Sequence, residues 1–109
     1  MTITSRDNSL LRHARAVRDG KIDNLVFVEG LRLCEEALNS RLEIEAVIYS
    51  EKITRKERAA LLIERLGAAG QQVASVSEKL LESISYTTTP HGIVVLASRP
   101  SNDEAAFKD

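Results

Sequence analysis

One cysteine, two prolines, no tryptophan and only two tyrosines and two phenylalanines occur in this chain. Each scarcity excludes something. A lone Cys34 cannot close an intrachain disulfide or supply the thiolates of a zinc or iron-sulfur site, and its place on the apolar side of a helical pattern makes it a small core residue. With so few rings the core has to be built from Leu, Ile, Val and Ala, which suits helices layered on a sheet. No apolar run approaches the roughly 18 residues that span a bilayer. The N-terminus also has no apolar signal region, so no membrane contact and a cytoplasmic location are expected. Gly-x-Gly-x-x-Gly, Walker and Gly-x-Ser-x-Gly patterns are missing, and His13 and His91 are too isolated to form a metal pair, so no metal and no one-domain catalyst are expected. A strong positive charge is lacking as well. Net charge is −1 and the sequence pI about 6.1, where nucleic-acid-binding domains are usually basic.

What is present reads as one domain. A length of 109 residues at 43% hydrophobic buries roughly two-thirds of the surface of the unfolded chain. Leu25 to Val28 is a short apolar run of β-formers, as in a strand covered on both faces, and Gly30 ends it. Leu31, Cys34 and Leu38 then recur at helical spacing, with Glu35 and Glu36 on another face. Such a βα turn sets helix N-terminal amides at the carboxyl end of a strand, where α/β folds hold most ligands, although most such turns bind nothing.

Upstream, Asn8 is a suitable N-cap and Gly20 a suitable stop for a helix whose buried stripe is Leu10, Ala14 and Val17. Arg12, Arg15 and Arg18 share an adjoining side, where they either track phosphates or form a solvated face. Downstream, Ile44 and Ala46 to Tyr49 predict a second strand, and Thr54 with Glu57 a capping box for a helix with Ala59, Leu62 and Leu66 inside. Gln72 to Val76 is a third strand and Ser77 caps a fourth helix, which fails before Thr87-Thr88-Thr89-Pro90. Ile93 to Ala97 is a fourth strand and an obvious core segment. Residues 98–109 lack periodicity and read as a linker after a domain of residues 1–97. This alternation of helices and strands predicts a three-layer α/β/α sandwich with a four-stranded, mostly parallel sheet.

The run Phe27-Val28-Glu29-Gly30-Leu31-Arg32-Leu33 with Glu36-Ala37-Leu38 lies between Ile3-Thr4-Ser5-Arg6-Asp7-Asn8-Ser9-Leu10 and Thr89-Pro90-His91-Gly92-Ile93. In that order the three blocks resemble the N-terminal substrate-binding domain of the SpoU (TrmH) family of RNA 2′-O-ribose methyltransferases. The resemblance implies the fold of the kink-turn-binding ribosomal proteins, with the last strand antiparallel to the others, which makes the sheet a mixed one. It also implies a structured RNA partner, ribosomal RNA first, held for methyl transfer by a C-terminal catalytic domain. That knotted domain carries S-adenosylmethionine on an Asn-x-Gly-x-x-x-Arg motif absent here, so no cofactor is expected in this chain, which reads as part of a longer enzyme. The positions implied for RNA are Arg12, Arg15, Arg18, Lys21, Gly30, Arg32, Thr88, Thr89, His91 and Gly92. Glu29 is expected to serve structure, accepting from backbone N–H groups or pairing with Arg32. Where the family has a basic run, this chain has Lys21-Ile22-Asp23, which favours the competing expectation of a protein-interaction or dimerisation domain that never touches RNA. A small-ligand domain using the same sheet edge is a third reading.

Overall fold

In the computed structural model, which describes residues 2–87 and 91–99, helices α1 (Ser9–Arg18), α2 (Leu31–Leu38), α3 (Glu57–Ala69) and α4 (Glu78–Ile84) alternate with four strands. These are β1 (Leu25–Glu29), β2 (Glu43–Ser50), β3 (Gln72–Val76) and β4 (Ile93–Ser98), and a 3₁₀ turn, Glu51–Arg55, joins β2 to α3. The local signals account for most boundaries. Asn8 Oδ1 accepts from the Leu10 N–H at 2.8 Å. At the other end of α1, Gly20 at φ 78 and Lys21 donate their N–H groups back to the carbonyls of Val17 and Ala16, which satisfies two of the last open carbonyls of the helix. Ser77 accepts from the Leu80 N–H at 3.1 Å and starts α4.

Thr54 does not cap α3. Its hydroxyl donates to the Glu51 carbonyl at 2.6 Å inside the 3₁₀ turn, and the helix starts at Glu57 after Lys56 with no side-chain cap. The reason lies upstream: Ser50 accepts from the Lys52 N–H and opens a tighter turn first, which leaves Thr54 in its interior.

The sheet order is β1-β4-β2-β3. Strands β2 and β3 are parallel neighbours, while β4 lies antiparallel between β1 and β2. The expected mixed sheet with a reversed last strand is found. Helical crossovers do make β1, β2 and β3 point the same way, but β4 occupies the central slot, so only one pair of neighbours is parallel. β1 is consequently an edge strand and only half-buried, not enclosed as its apolar run suggested. Burial on both faces belongs instead to β4, whose Ile93 to Ala97 are fully buried.

Two cores flank the sheet. α1 and α4 cover one face with Leu11, Ala14, Leu81 and Ile84 against Ala46, Ile48, Val94 and Leu96. α2 and α3 cover the other with Cys34, Ala59, Leu62 and Leu66 against Val47, Ile93, Val95 and Ala97. Ile44 and Ala46 sit on opposite faces although they are two residues apart, because a bulge between them shifts the register against Ala97 and Leu96.

Burial pushes the Cys34 thiol up to about 12, with the Glu29 charge adding to the effect. The folded chain therefore holds this proton above the pH at which the unfolded chain, near 9, releases it. This stability is complete below pH 9 and is lost between about pH 9 and 12 at up to roughly 1.4 kcal/mol per pH unit. We expect a thiol reagent at pH 8 to label Cys34 only after denaturation; rapid labelling of the native protein would refute the enclosed position.

Candidate nucleic-acid interface

The antiparallel return of β4 builds the site. β1 and β2 end at the edge where β4 begins, with Glu29 opposite Val94 and Tyr49 opposite Ile93. Gly30 N–H donates to the Ile93 carbonyl at 3.0 Å, and Ser50 N–H donates to the Gly92 carbonyl at 2.9 Å, which fastens the start of β4 between the two strand ends. Gly30 and Gly92 both have positive φ, 100 and 91 degrees, a backbone that side-chain-bearing residues rarely adopt. A Cβ on Gly30 would lie 3.9 Å from the His91 Cβ, so residues 61 positions apart face each other across one turn. Arg32, in the first turn of α2, is 87% exposed, and its guanidinium reaches Glu36 at 3.7 Å one turn further on. This corner thus offers helix N-terminal amides, a projecting guanidinium and an imidazole, while the faces of Gly30 and Gly92 that lack a Cβ are turned to His91 and Ile53.

Glu29 supports the corner from beneath. Its carboxylate accepts from the Ser85 hydroxyl and, at 3.1 Å, from the Tyr86 N–H. Acceptance from backbone N–H is thus found, while Arg32 pairs with Glu36, one turn along the same helix, instead of with Glu29. Tyr86 then sets its ring edge-on to Phe27 at 5.0 Å and donates its hydroxyl to the Arg18 carbonyl. The segment leaving α4 is thereby tied to β1 and α1 before the chain reaches His91.

A scan against family models matches the MRM3-like substrate binding domain over residues 11–95. The chain belongs to that family. Among solved structures it is similar to an rRNA methyltransferase from Sinorhizobium meliloti, with a TM-score of 0.74, 21% identity, 92% of this chain and 37% of that one. The AdoMet-bound form of an rRNA methyltransferase from the same organism superposes with a TM-score of 0.73 at 21% identity, again over 92% and 37% of the two chains. An RNA 2′-O ribose methyltransferase is 25% identical over all of this chain and 40% of its own, with a TM-score of 0.72. The chain therefore spans about two-fifths of the length of these structures. No match was found among curated proteins.

Within this substrate-binding domain the expected RNA positions separate into groups. Gly30, Arg32, His91 and Gly92 come together at the corner, while Thr88 and Thr89 lie outside the described residues. Arg15 and Arg18 point elsewhere. Arg15 donates to the Arg6 carbonyl at 2.8 Å and to the Ser83 hydroxyl, and Arg18 donates to the carbonyls of Ser83 and Ser85. Their guanidiniums clamp α1 to the end of α4, a role that no spacing in the sequence displayed. Arg18 also bonds Asp19 at 2.9 Å, which together with the nearby Lys21 charge holds the Asp19 carboxyl below its ordinary value. Arg12 is exposed, and its side chain makes no hydrogen bond or ion pair among the described residues. Arg58, remote in sequence from both loops, makes a two-pronged bond from α3 to Glu35 of α2, at 2.8 Å through Nε, and lowers the Glu35 carboxyl. Among the described residues no three His, Cys, Asp or Glu side chains gather as a metal site, and no helix is long and apolar enough to cross a membrane.

Proposed function

We propose that this domain holds structured RNA, ribosomal RNA in the first place, so that a C-terminal catalytic domain, joined through the linker at residues 98–109, can methylate a ribose 2′-hydroxyl. The observation that carries the reading is the convergence of Gly30 and Arg32 with His91 and Gly92 at one corner of the sheet. A phosphate seated there meets α2 amides and the Arg32 guanidinium. S-adenosylmethionine belongs to the catalytic domain in this reading.

A protein-interaction role is the alternative, favoured by one feature. The half-buried edge strand β1 stands beside Leu33, which is 53% exposed. Filter binding with a ribosomal RNA hairpin across a salt series separates the two. Arg32→Ala should weaken binding to every sequence and reduce the salt slope by about one, as for loss of a single phosphate contact. Arg41→Ala is the control, since Arg41 is exposed before β2 at the opposite edge, whereas Arg58 grips α2 and is unsuitable. Equal losses in both variants would remove the localised site, and a salt-independent signal would favour the protein-interaction role.

A further inference from the structure

A cleft of about 880 Å³ opens beside the corner, between residues 2–6, the end of β2 with its 3₁₀ turn, and the start of α4. Its walls are well held. Ile3 N–H donates to the Ser75 carbonyl at 3.0 Å, and the Thr2 and Ser75 hydroxyls meet at 3.2 Å, so the N-terminal segment runs alongside β3. Ile3 and Val76 are buried at the base and Leu80 is half-buried, which makes the floor aliphatic. Lys52 and Glu78 close one side as an ion pair at 3.4 Å. Arg6 and Lys79 remain at the rim with exposed side chains that make no hydrogen bond or ion pair among the described residues.

Aliphatic floor, uncommitted cations and hydroxyls match the three parts of a nucleotide: the face of a base, the phosphate, and the ribose. The volume lies within the range of roughly 300–1,000 Å³ typical of small-molecule sites. Position supplies the link to RNA. Ser50 lines the cleft and its N–H holds the Gly92 carbonyl, so cleft and corner adjoin along the same edge. We propose that the cleft receives an unpaired nucleotide of the RNA bound at the Gly30–His91 corner, its base against Ile3 and Leu80 and its phosphate between Arg6 and Lys79. This rests on the RNA reading above. With no aromatic ring in the cleft the base packs without stacking, so little sequence preference is expected.

The test uses the full chain, a fully paired ribosomal hairpin, and the same hairpin with a three-nucleotide unpaired flank. The double variant Arg6→Ala/Lys79→Ala should bind the flanked RNA about tenfold more weakly, with a salt slope lower by about two, and the paired hairpin unchanged. Arg32→Ala should weaken both RNAs. A double variant that weakens both RNAs equally, or neither, overturns the cleft and leaves the corner standing. Loss in the double variant without loss in Arg32→Ala overturns the corner and leaves the cleft. If the native chain binds neither RNA, both proposals fall together. Uridine monophosphate, titrated while the Ser77 and Lys79 amides are followed by NMR, should bind at least a hundredfold more weakly than the flanked RNA. Equal affinity would overturn the RNA strand as the source and assign the cleft to a free nucleotide.

Discussion

Gly92→Val should lower the melting temperature by about 10 °C or more, the largest loss of any substitution at the sheet edge. Two costs coincide there. Its φ of 91 degrees lies where a β-branched residue is strained by roughly 1–3 kcal/mol. A Cβ would also stand 2.8 Å from the Ile53 Cδ1 and 3.2 Å from its Cβ and Cγ1. The tip of Ile53 can rotate, but its Cβ moves only with the backbone of the 3₁₀ turn in which Ile53 is the buried residue, so crowding adds about 1–3 kcal/mol. For a domain of this size each kcal/mol is worth roughly 4–8 °C. Gly30→Val is the comparison. It carries the same kind of strain at φ 100, yet its nearest neighbours would be His91 atoms at 3.9 and 4.0 Å, an ordinary contact, so about 1–3 kcal/mol is the whole cost. Gly20 has nothing within 4 Å of the added atom, and Gly20→Ala should cost least. Circular-dichroism melts check the order, and equal losses at Gly92 and Gly30 would show that Ile53 yields freely.

Glu29→Ala should destabilise the domain and weaken RNA binding together. The carboxylate receives the Ser85 hydroxyl and the Tyr86 N–H, bonds to a charged acceptor that contribute about 1.5–3 kcal/mol each at most, the more exposed one less. Its removal leaves the buried Ser85 without that acceptor and frees the segment that leads to His91. A purely electrostatic view gives the opposite sign, because deleting a negative charge beside a phosphate site should tighten binding. Filter binding therefore discriminates the two: weaker binding identifies Glu29 as a positioning residue, and tighter binding would show that its charge alone matters. Glu29→Gln is informative beside it, since the amide oxygen can keep one bond while the charge is gone.

Much of the helix pattern was legible residue by residue, because capping and periodicity depend on side chains within about four positions. Asn8, Gly20, Gly30 and Ser77 each do what their types suggest, and Gly30 ends its strand with a positive φ of 100 degrees. Thr54 failed because a neighbouring local motif, the Ser50 turn, competes for the same residues. Arg15 and Arg18 shared a side of α1 as read, but the sequence contained no sign that this side meets the end of α4.

By itself, then, the sequence determined the alternation of helices and strands, the aliphatic two-faced core and, through three dispersed blocks, the family. Tertiary structure alone decided that β4 enters between β1 and β2, that Glu29 reaches a serine 56 residues away, and that His91 stands over Gly30. Local preferences select among backbone conformations of a few residues, whereas strand order follows from which arrangement buries the most apolar surface over the whole chain. Ile93 to Ala97 is the most apolar strand and takes an inner slot, paired on both edges as β2 also is, and covered on both faces. The juxtaposition of the two glycine turns at the sheet corner follows from that placement.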